Sequence, residues 1–132
     1  MSTKTTAEFE IKDWKEATID EGDGVRKLRR ANVTRTFSSG IDGSSLSETL
    51  MAYAPDGTAS FVGLERVRGA VDGREGTFVL QLVGRYEDGA ARGTLSVVPG
   101  SGTDDLEALT GEGDFYAATG PSGSMTLTLD LG

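Results

Sequence analysis

The sequence predicts an all-β domain: a small closed eight-stranded antiparallel barrel with one short helical turn. The first observation behind this expectation is a rhythm of turns. Pro55-Asp56-Gly57, Asp72-Gly73 and Asp88-Gly89 punctuate short β-type runs from Ser47 to Val98, with Asp42-Gly43 as a fourth candidate. Both central positions of a type I′ turn need positive φ, which Asp and Gly tolerate, so such turns between apolar runs mark an antiparallel meander. The second is the 19 glycines, which suit strands bent around a closed barrel. Closure removes the sticky edges of a flat sheet.

Taken in order, Ala7, Phe9 and Ile11 alternate with Glu8, Glu10 and Lys12, a half-buried first strand ending near Trp14. Asp20-Glu21-Gly22-Asp23-Gly24 is a loop. The second strand is expected over about Lys27 to Phe37, the third over Leu46 to Ala54, the fourth over Ala59 to Val71 and the fifth over Arg74 to Tyr86. Ala90 to Val98, Gly113 to Ala118 and Met125 to Leu131 complete the set. One segment, Pro99 to Gly111, breaks the meander. There Asp104 as N-cap with Glu107 at the third helical position, Leu106 and Leu109 three apart, and Gly111 as stop predict a single helical turn. That turn is expected to plug or cover one barrel end.

Residues 1–132 form one domain of 13.8 kDa, long enough to bury roughly two thirds of the surface of the unfolded chain. A formal net charge of −8 opposes nucleic-acid binding, because phosphate neutralisation needs clustered cations. The one basic run, Arg26-Lys27-Leu28-Arg29-Arg30, reads as a solvated strand edge. With no cysteine and no histidine, thiolate and imidazole nucleophiles, disulfides and Cys- or His-ligated metals are excluded. No metal or cofactor is implied. The acidic loops at Asp20 to Gly24 and Asp104 to Glu107 lack the alternating ligands and final bidentate Glu of an EF-hand loop. The glycines of residues 100–102 complete no phosphate-binding loop. The N-terminus is polar and no run approaches the roughly 20 apolar residues of a membrane span, so a cytoplasmic protein is expected.

The turns also set register. Pro55-Asp56-Gly57 as a three-residue loop places Met51 opposite Phe61 and Thr49 opposite Gly63. Asp72-Gly73 sets Val67 opposite Phe78 and Glu65 opposite Leu80, and Asp88-Gly89 sets Leu82 opposite Leu95 and Leu80 opposite Val97. Directly opposite residues share a face. One face therefore collects Met51, Tyr53, Phe61, Gly63, Glu65, Val67, Phe78, Leu80, Leu82, Leu95 and Val97, and this apolar set is assigned to the lumen. The other face is mixed and mostly polar, but Leu50, Val62, Leu64 and Val79 would cluster on it. Such a patch marks an association surface, so a homo-oligomer is expected.

Glu65 is the candidate centre of chemistry. A carboxylate among Phe61, Val67, Phe78 and Leu80 is desolvated, which disfavours its charged form and suits it to general acid or base work. Tyr53 is its expected companion and, if Asp42-Gly43 is a two-residue turn, so are Thr34 and Asn32. Phe61, Phe78, Leu80 and Leu82 would supply the apolar wall, giving a small-molecule pocket with a few convergent polar groups. The competing reading is that Glu65 faces out and pairs with an arginine on a neighbouring strand, or lies inside as a satisfied polar core group. Glu48, Gln81 and Arg66 form the rival constellation if the faces are reversed.

Leu50-Met51-Ala52-Tyr53-Ala54-Pro55-Asp56-Gly57-Thr58-Ala59, Phe61-Val62-Gly63-Leu64-Glu65, Gly76-Thr77-Phe78-Val79-Leu80-Gln81 and Val97-Val98-Pro99-Gly100-Ser101-Gly102-Thr103 together resemble the bacterial domain-of-unknown-function family 3224. The resemblance runs over nearly the whole chain. It implies a calycin-like eight-stranded barrel similar to allene oxide cyclase and dirigent proteins, and the Gly-Ser-Gly-Thr stretch is similar to the Gly-Thr-Gly loop of that superfamily. Allene oxide cyclases line the hollow with a glutamate and an asparagine, to which Glu65 and Asn32 would correspond. The chain departs from the family pattern at Leu82, where Gln-His rather than Gln81-Leu82 is expected.

Two functions remain open at this level. One is a barrel that binds a small apolar ligand, its catalytic form a cofactor-free cyclase or isomerase in which Glu65 polarises or deprotonates the ligand and Tyr53 orients it. The alternative is a non-catalytic barrel that binds an apolar ligand or only self-associates, its lumen filled by Phe61, Phe78 and the leucines. An empty cavity of roughly several hundred Å³ favours the first and a packed lumen the second.

Overall fold

A computed structural model describes residues 2–118 and 120–132; Met1, which opens the polar N-terminal stretch, and Thr119 lie outside them. Eight antiparallel strands close into a barrel in simple sequence order. They are β1 (Ser2–Asp20), β2 (Leu28–Ser39), β3 (Ile41–Tyr53), β4 (Ala59–Val71), β5 (Arg74–Glu87), β6 (Ala90–Val97), β7 (Thr110–Ala118) and β8 (Ser122–Asp130). A single 3-10 turn, Asp104–Leu106, interrupts them.

Three expected turns form in the expected register. Asp72 (φ 51°) and Asp88 (φ 54°) precede Gly73 and Gly89 (both φ 75°), the two positive values a type I′ turn needs. Met51 faces Phe61, Val67 faces Phe78, Glu65 faces Leu80 and Leu82 faces Leu95. Asp42-Gly43 is the exception: it lies inside β3, opposite Ala70 and Gly69. Chain reversal occurs instead at Ser39-Gly40, where Ser39 takes φ 68°. Gly43 serves closeness rather than turning, because a Cβ there would sit 2.1 Å from the Arg68 carbonyl oxygen. β3 consequently begins five residues earlier than expected, at Ile41 rather than Leu46, and its register with β2 moves to Thr34 opposite Leu46 and Asn32 opposite Glu48.

The helical turn also differs in its start. Thr103, extended at φ −126° and ψ 163°, stands at the N-cap, and Asp104 follows in the left-handed region at φ 53°. The Thr103 hydroxyl is engaged elsewhere, accepting from the Thr77 backbone N–H at 2.9 Å and bonding the Thr77 hydroxyl at 2.8 Å. Together with the Ser101 hydroxyl, which accepts from Val79 N–H at 3.0 Å, this holds the Pro99 to Thr103 segment along β5. Leu106 and Leu109 are thereby driven into one barrel end as its plug.

The two halves of the lumen are filled differently, and side-chain size decides how. Towards the plugged end the inward positions carry Ile41, Val67, Val71, Phe78, Leu80, Val97, Leu127 and Leu129, which pack as a continuous core. Towards the other end they carry Ala59, Gly63, Gly84, Ala91, Gly93 and Ala117, too small to meet across the axis. The rings of Phe61 and Phe115 lie over Gly84 and Gly93, where an added Cβ would come within 2.7 Å and 2.9 Å of the respective ring. No helix among the described residues is long and apolar enough to cross a membrane.

Candidate functional site

What remains in the open half is a hollow of about 210 Å³. Phe9 and Ile11 from β1, Val33 from β2, Met51 from β3, Phe61 from β4 and Phe115 from β7 form its apolar wall, while Trp14 and Tyr86 stand among its lining residues. Phe61 and Phe115 meet at 5.9 Å between centroids, within the range of a favourable aromatic pair.

Two charged groups also line this hollow, Glu65 and Arg35. Glu65 is placed inward by the alternation of β4, between the Gly63 and Val67 positions. Arg35 is placed inward by β2, in the row Ala31, Val33, Arg35, Phe37. Arg35 Nη1 lies 3.3 Å from Glu65 Oε2 and donates at 3.3 Å to the Ser47 hydroxyl, which donates in turn to the Val33 carbonyl. The Ser45 hydroxyl donates a further short hydrogen bond to Glu65 Oε2. The guanidinium stands 5.2 Å from the Phe9 ring centroid, a cation–π contact in a poorly solvated place. Arg35 Nε is buried without a hydrogen-bond partner. Ser45, Ser47 and Thr49 occupy consecutive inward positions of β3; all three are small enough to make room for the arginine, and Ser45 and Ser47 hydrogen-bond the pair.

The side chains are unequally covered: Arg35 retains 14 % of its surface and Glu65 only 2 %. Oε2 of the carboxylate is committed to Ser45 and Arg35, so the guanidinium is the charged group with surface left to meet a ligand. Replacing water by a cation and a hydroxyl donor offsets the desolvation that burial imposes on the carboxylate. Glu65 is therefore an ion-paired group inside the lumen, combining the inward placement of one expectation with the arginine partner of its competitor.

The other expected site residues separate into four groups. Phe61 and Leu82 line the hollow. Phe78 and Leu80, both fully buried, belong to the packed half beneath it. Tyr53 stands at the mouth, packed with Phe61 against Ala31, Val33 and Met51 and lying 5.5 Å from Lys27 Nζ. Burial, ahead of the negative charge of Glu16, raises its phenol above the ordinary tyrosine value. Asn32 and Thr34 are on the outer face, opposite Glu48 and Leu46, and do not join Glu65; the expectation that they would rested on the turn that does not form. The pairing of glutamate with asparagine implied by the cyclase resemblance is thus not made by Asn32. Glu48, Gln81 and Arg66 are likewise on the outer face.

Sequence reasoning missed Arg35, Trp14, Tyr86 and Phe115. Arg35 carried a readable signal, a single cation at an inward step of the alternation Ala31, Val33, Phe37. Trp14 did not, because a bulge between Ile11 and Asp13 shifts the parity of β1 and turns Trp14 towards Val33. The basic run is not at a strand edge: its Arg29 and Arg30 lie on β2, paired with β1 on one side and β3 on the other. Arg26 pairs with Asp23, Arg29 reaches Glu16 at 2.6 Å and Arg30 reaches Glu48 at 3.5 Å. Among the described residues no three acidic groups converge as a metal site would require.

Fold and site together define a small closed barrel, plugged at one end and hollow at the other, with a buried ion pair at the base of the hollow. The chain belongs to the family described as protein of unknown function DUF3224, whose model matches residues 5–131. It is similar to a solved structure of a DUF3224 protein of unknown function from Shewanella oneidensis MR-1. The two share 31% sequence identity and a TM-score of 0.80, over 98% of this chain and 97% of that one. No curated protein matches the chain.

Proposed function

We propose that this barrel binds a small, mostly apolar molecule in the open half of its lumen. The observation that carries the reading is the hollow itself. A barrel of this strand number can fill its interior with its own side chains, and this one does so in the plugged half only. Small residues in the other half leave about 210 Å³ walled by aromatic and aliphatic groups. An apolar cavity of about 150 Å³ is enough to hold benzene. Binding is tested by calorimetric titration with neutral two-ring aromatics, alongside the emission of Trp14, the single tryptophan of the chain. Measurable affinity is expected, with a loss of at least about tenfold in Ala117→Leu, which fills the hollow. Absence of binding in the wild type, or full retention in Ala117→Leu with the fold intact by circular dichroism, overturns the reading.

The catalytic form of this reading, a cofactor-free cyclase or isomerase worked by Glu65 and Tyr53, has less support. Oε2 of Glu65 is already engaged by Ser45 and Arg35, and Tyr53 is at the mouth rather than beside it.

For assembly, the outer face of β3, β4 and β5 exposes Leu46, Leu50, Val62, Leu64 and Val83. Val79, expected in this patch, is half-buried next to Ser101. Leu50, Val62 and Val83 are direct cross-strand neighbours, so the patch is continuous. Its surroundings carry both signs, Arg30 and Arg66 with Glu48. A two-fold axis can set Arg66 of one copy against Glu48 of the other, which favours a second copy of this chain as the group that covers it.

A further inference from the structure

We propose that the ligand is a neutral, mostly apolar molecule of about two-ring size bearing one carbonyl-type oxygen, which accepts a hydrogen bond from the Arg35 guanidinium at the base of the hollow. The inference rests on the lumen-binding reading above and adds the chemistry of the ligand's polar group.

Three observations select an acceptor. First, Arg35 keeps 14 % of its side-chain surface and Glu65 2 %, so an incoming polar group meets N–H donors rather than carboxylate oxygens. Second, the guanidinium has five N–H donors, of which the structure engages Nη1 towards Ser47 and Glu65 and leaves Nε buried without a partner. Donor capacity at this point is larger than the protein itself uses. Third, the rest of the wall carries no further charge: Phe9, Val33, Met51, Phe61, Leu95 and Phe115 give it a largely carbon surface, broken by the Thr49 hydroxyl and the polar edges of Trp14 and Tyr86. The molecule must therefore be mostly apolar.

Neutrality follows from the charge balance. Glu65 already compensates Arg35, so an anionic ligand would set a second buried negative charge beside the carboxylate, which is unfavourable in a poorly solvated interior. The field of a chain with formal net charge −8 opposes the approach of an anion as well. A carbonyl oxygen gains a charge-assisted hydrogen bond without disturbing the pair.

The test compares three ligands of one shape on the full chain by isothermal titration calorimetry: 2-acetylnaphthalene, its hydrocarbon isostere 2-isopropenylnaphthalene, and 2-naphthoate. Without a donor in the site the ketone should bind more weakly than the hydrocarbon, because its oxygen loses water on entry. The proposal expects the reverse order, with the ketone at least fivefold tighter than the hydrocarbon and tighter than the naphthoate. In Arg35→Met/Glu65→Gln, which removes both charges, the hydrocarbon should retain its affinity within about threefold and the ketone preference should vanish. Hydrocarbon binding as tight as the ketone's in the wild type, tightest binding by naphthoate, or a ketone preference that survives in the double variant overturns the proposal while leaving lumen binding in place. Failure of all three ligands to bind overturns lumen binding itself. If the double variant does not fold, the affinity order in the wild type decides alone.

Discussion

Arg35 and Glu65 are two charges removed from water, and the energetics of such pairs are asymmetric. Desolvation of each ion is offset only while the other remains, so deleting one partner strands a buried charge, whereas replacing both with uncharged groups is often close to neutral. Arg35→Met is accordingly expected to destabilise the barrel by about 3 kcal/mol, and Arg35→Met/Glu65→Gln by less than about half as much. Urea unfolding of wild type, both single variants and the double variant measures this coupling. A double variant as unstable as the sum of the singles would show that the 3.3 Å approach between the two groups contributes nothing. Glu65 was legible in the sequence because three turns with independent chemistry converge on its register. Arg35 was overlooked despite its place in the alternation Ala31, Val33, Phe37, because its strand was aligned through Asp42-Gly43. That dipeptide is identical to two genuine turns of this chain, and nothing local distinguishes a glycine needed for positive φ from one needed for lack of a Cβ.

Strands β3 and β4 show that distinction physically. Gly43 lies directly opposite Gly69, and an added Cβ at Gly43 would meet the Arg68 carbonyl oxygen at 2.1 Å, a contact with backbone that cannot rotate away. At Gly57, in the β3–β4 turn, φ is +86° and nothing lies within 4 Å of an added Cβ. The two glycines therefore do different work, one allowing backbones to approach and the other allowing the chain to reverse. Gly57→Ala is expected to lose about 1–2 kcal/mol through left-handed strain alone. Gly43→Ala must separate two strands near the plugged end and is expected to lose more, about 3 kcal/mol. Thermal or chemical denaturation of the two variants ranks them, and an equal or reversed ranking would show that the strands part there without penalty. The same limit on local reading explains the bulge of β1 and the start of the 3-10 turn. In the first an extra residue changes parity without a sequence mark, and in the second the Thr103 hydroxyl is drawn away from capping by Thr77 on a strand distant in sequence.

At the scale of the whole molecule, closing the barrel pairs most of the strand edges, although residues 12–20 of β1 pair with β2 alone, and leaves the sheet faces for face-to-face contact between copies. The exposed stripe of β3, β4 and β5 is suited to that contact, because Leu46 (60 % exposed), Leu64 (54 %) and Val62 (51 %) project from adjacent strands. The apolar side chains are interspersed with Arg30, Glu48 and Arg66, whose mixed signs can be matched by a rotated copy but not by a uniformly charged surface. None of the stripe's apolar residues lines the hollow, so association and ligand binding should be separable. Sedimentation equilibrium is expected to report a dimer or larger species, and Leu64→Lys to shift it towards monomer by placing an unpaired charge in the contact. The same variant should bind the ketone probe with unchanged affinity, since Leu64 points away from Glu65 on the same strand. A wild-type chain that stays monomeric at high micromolar concentration would overturn the interface. Loss of ligand affinity in a monomeric Leu64→Lys would instead overturn the separation of stripe and lumen.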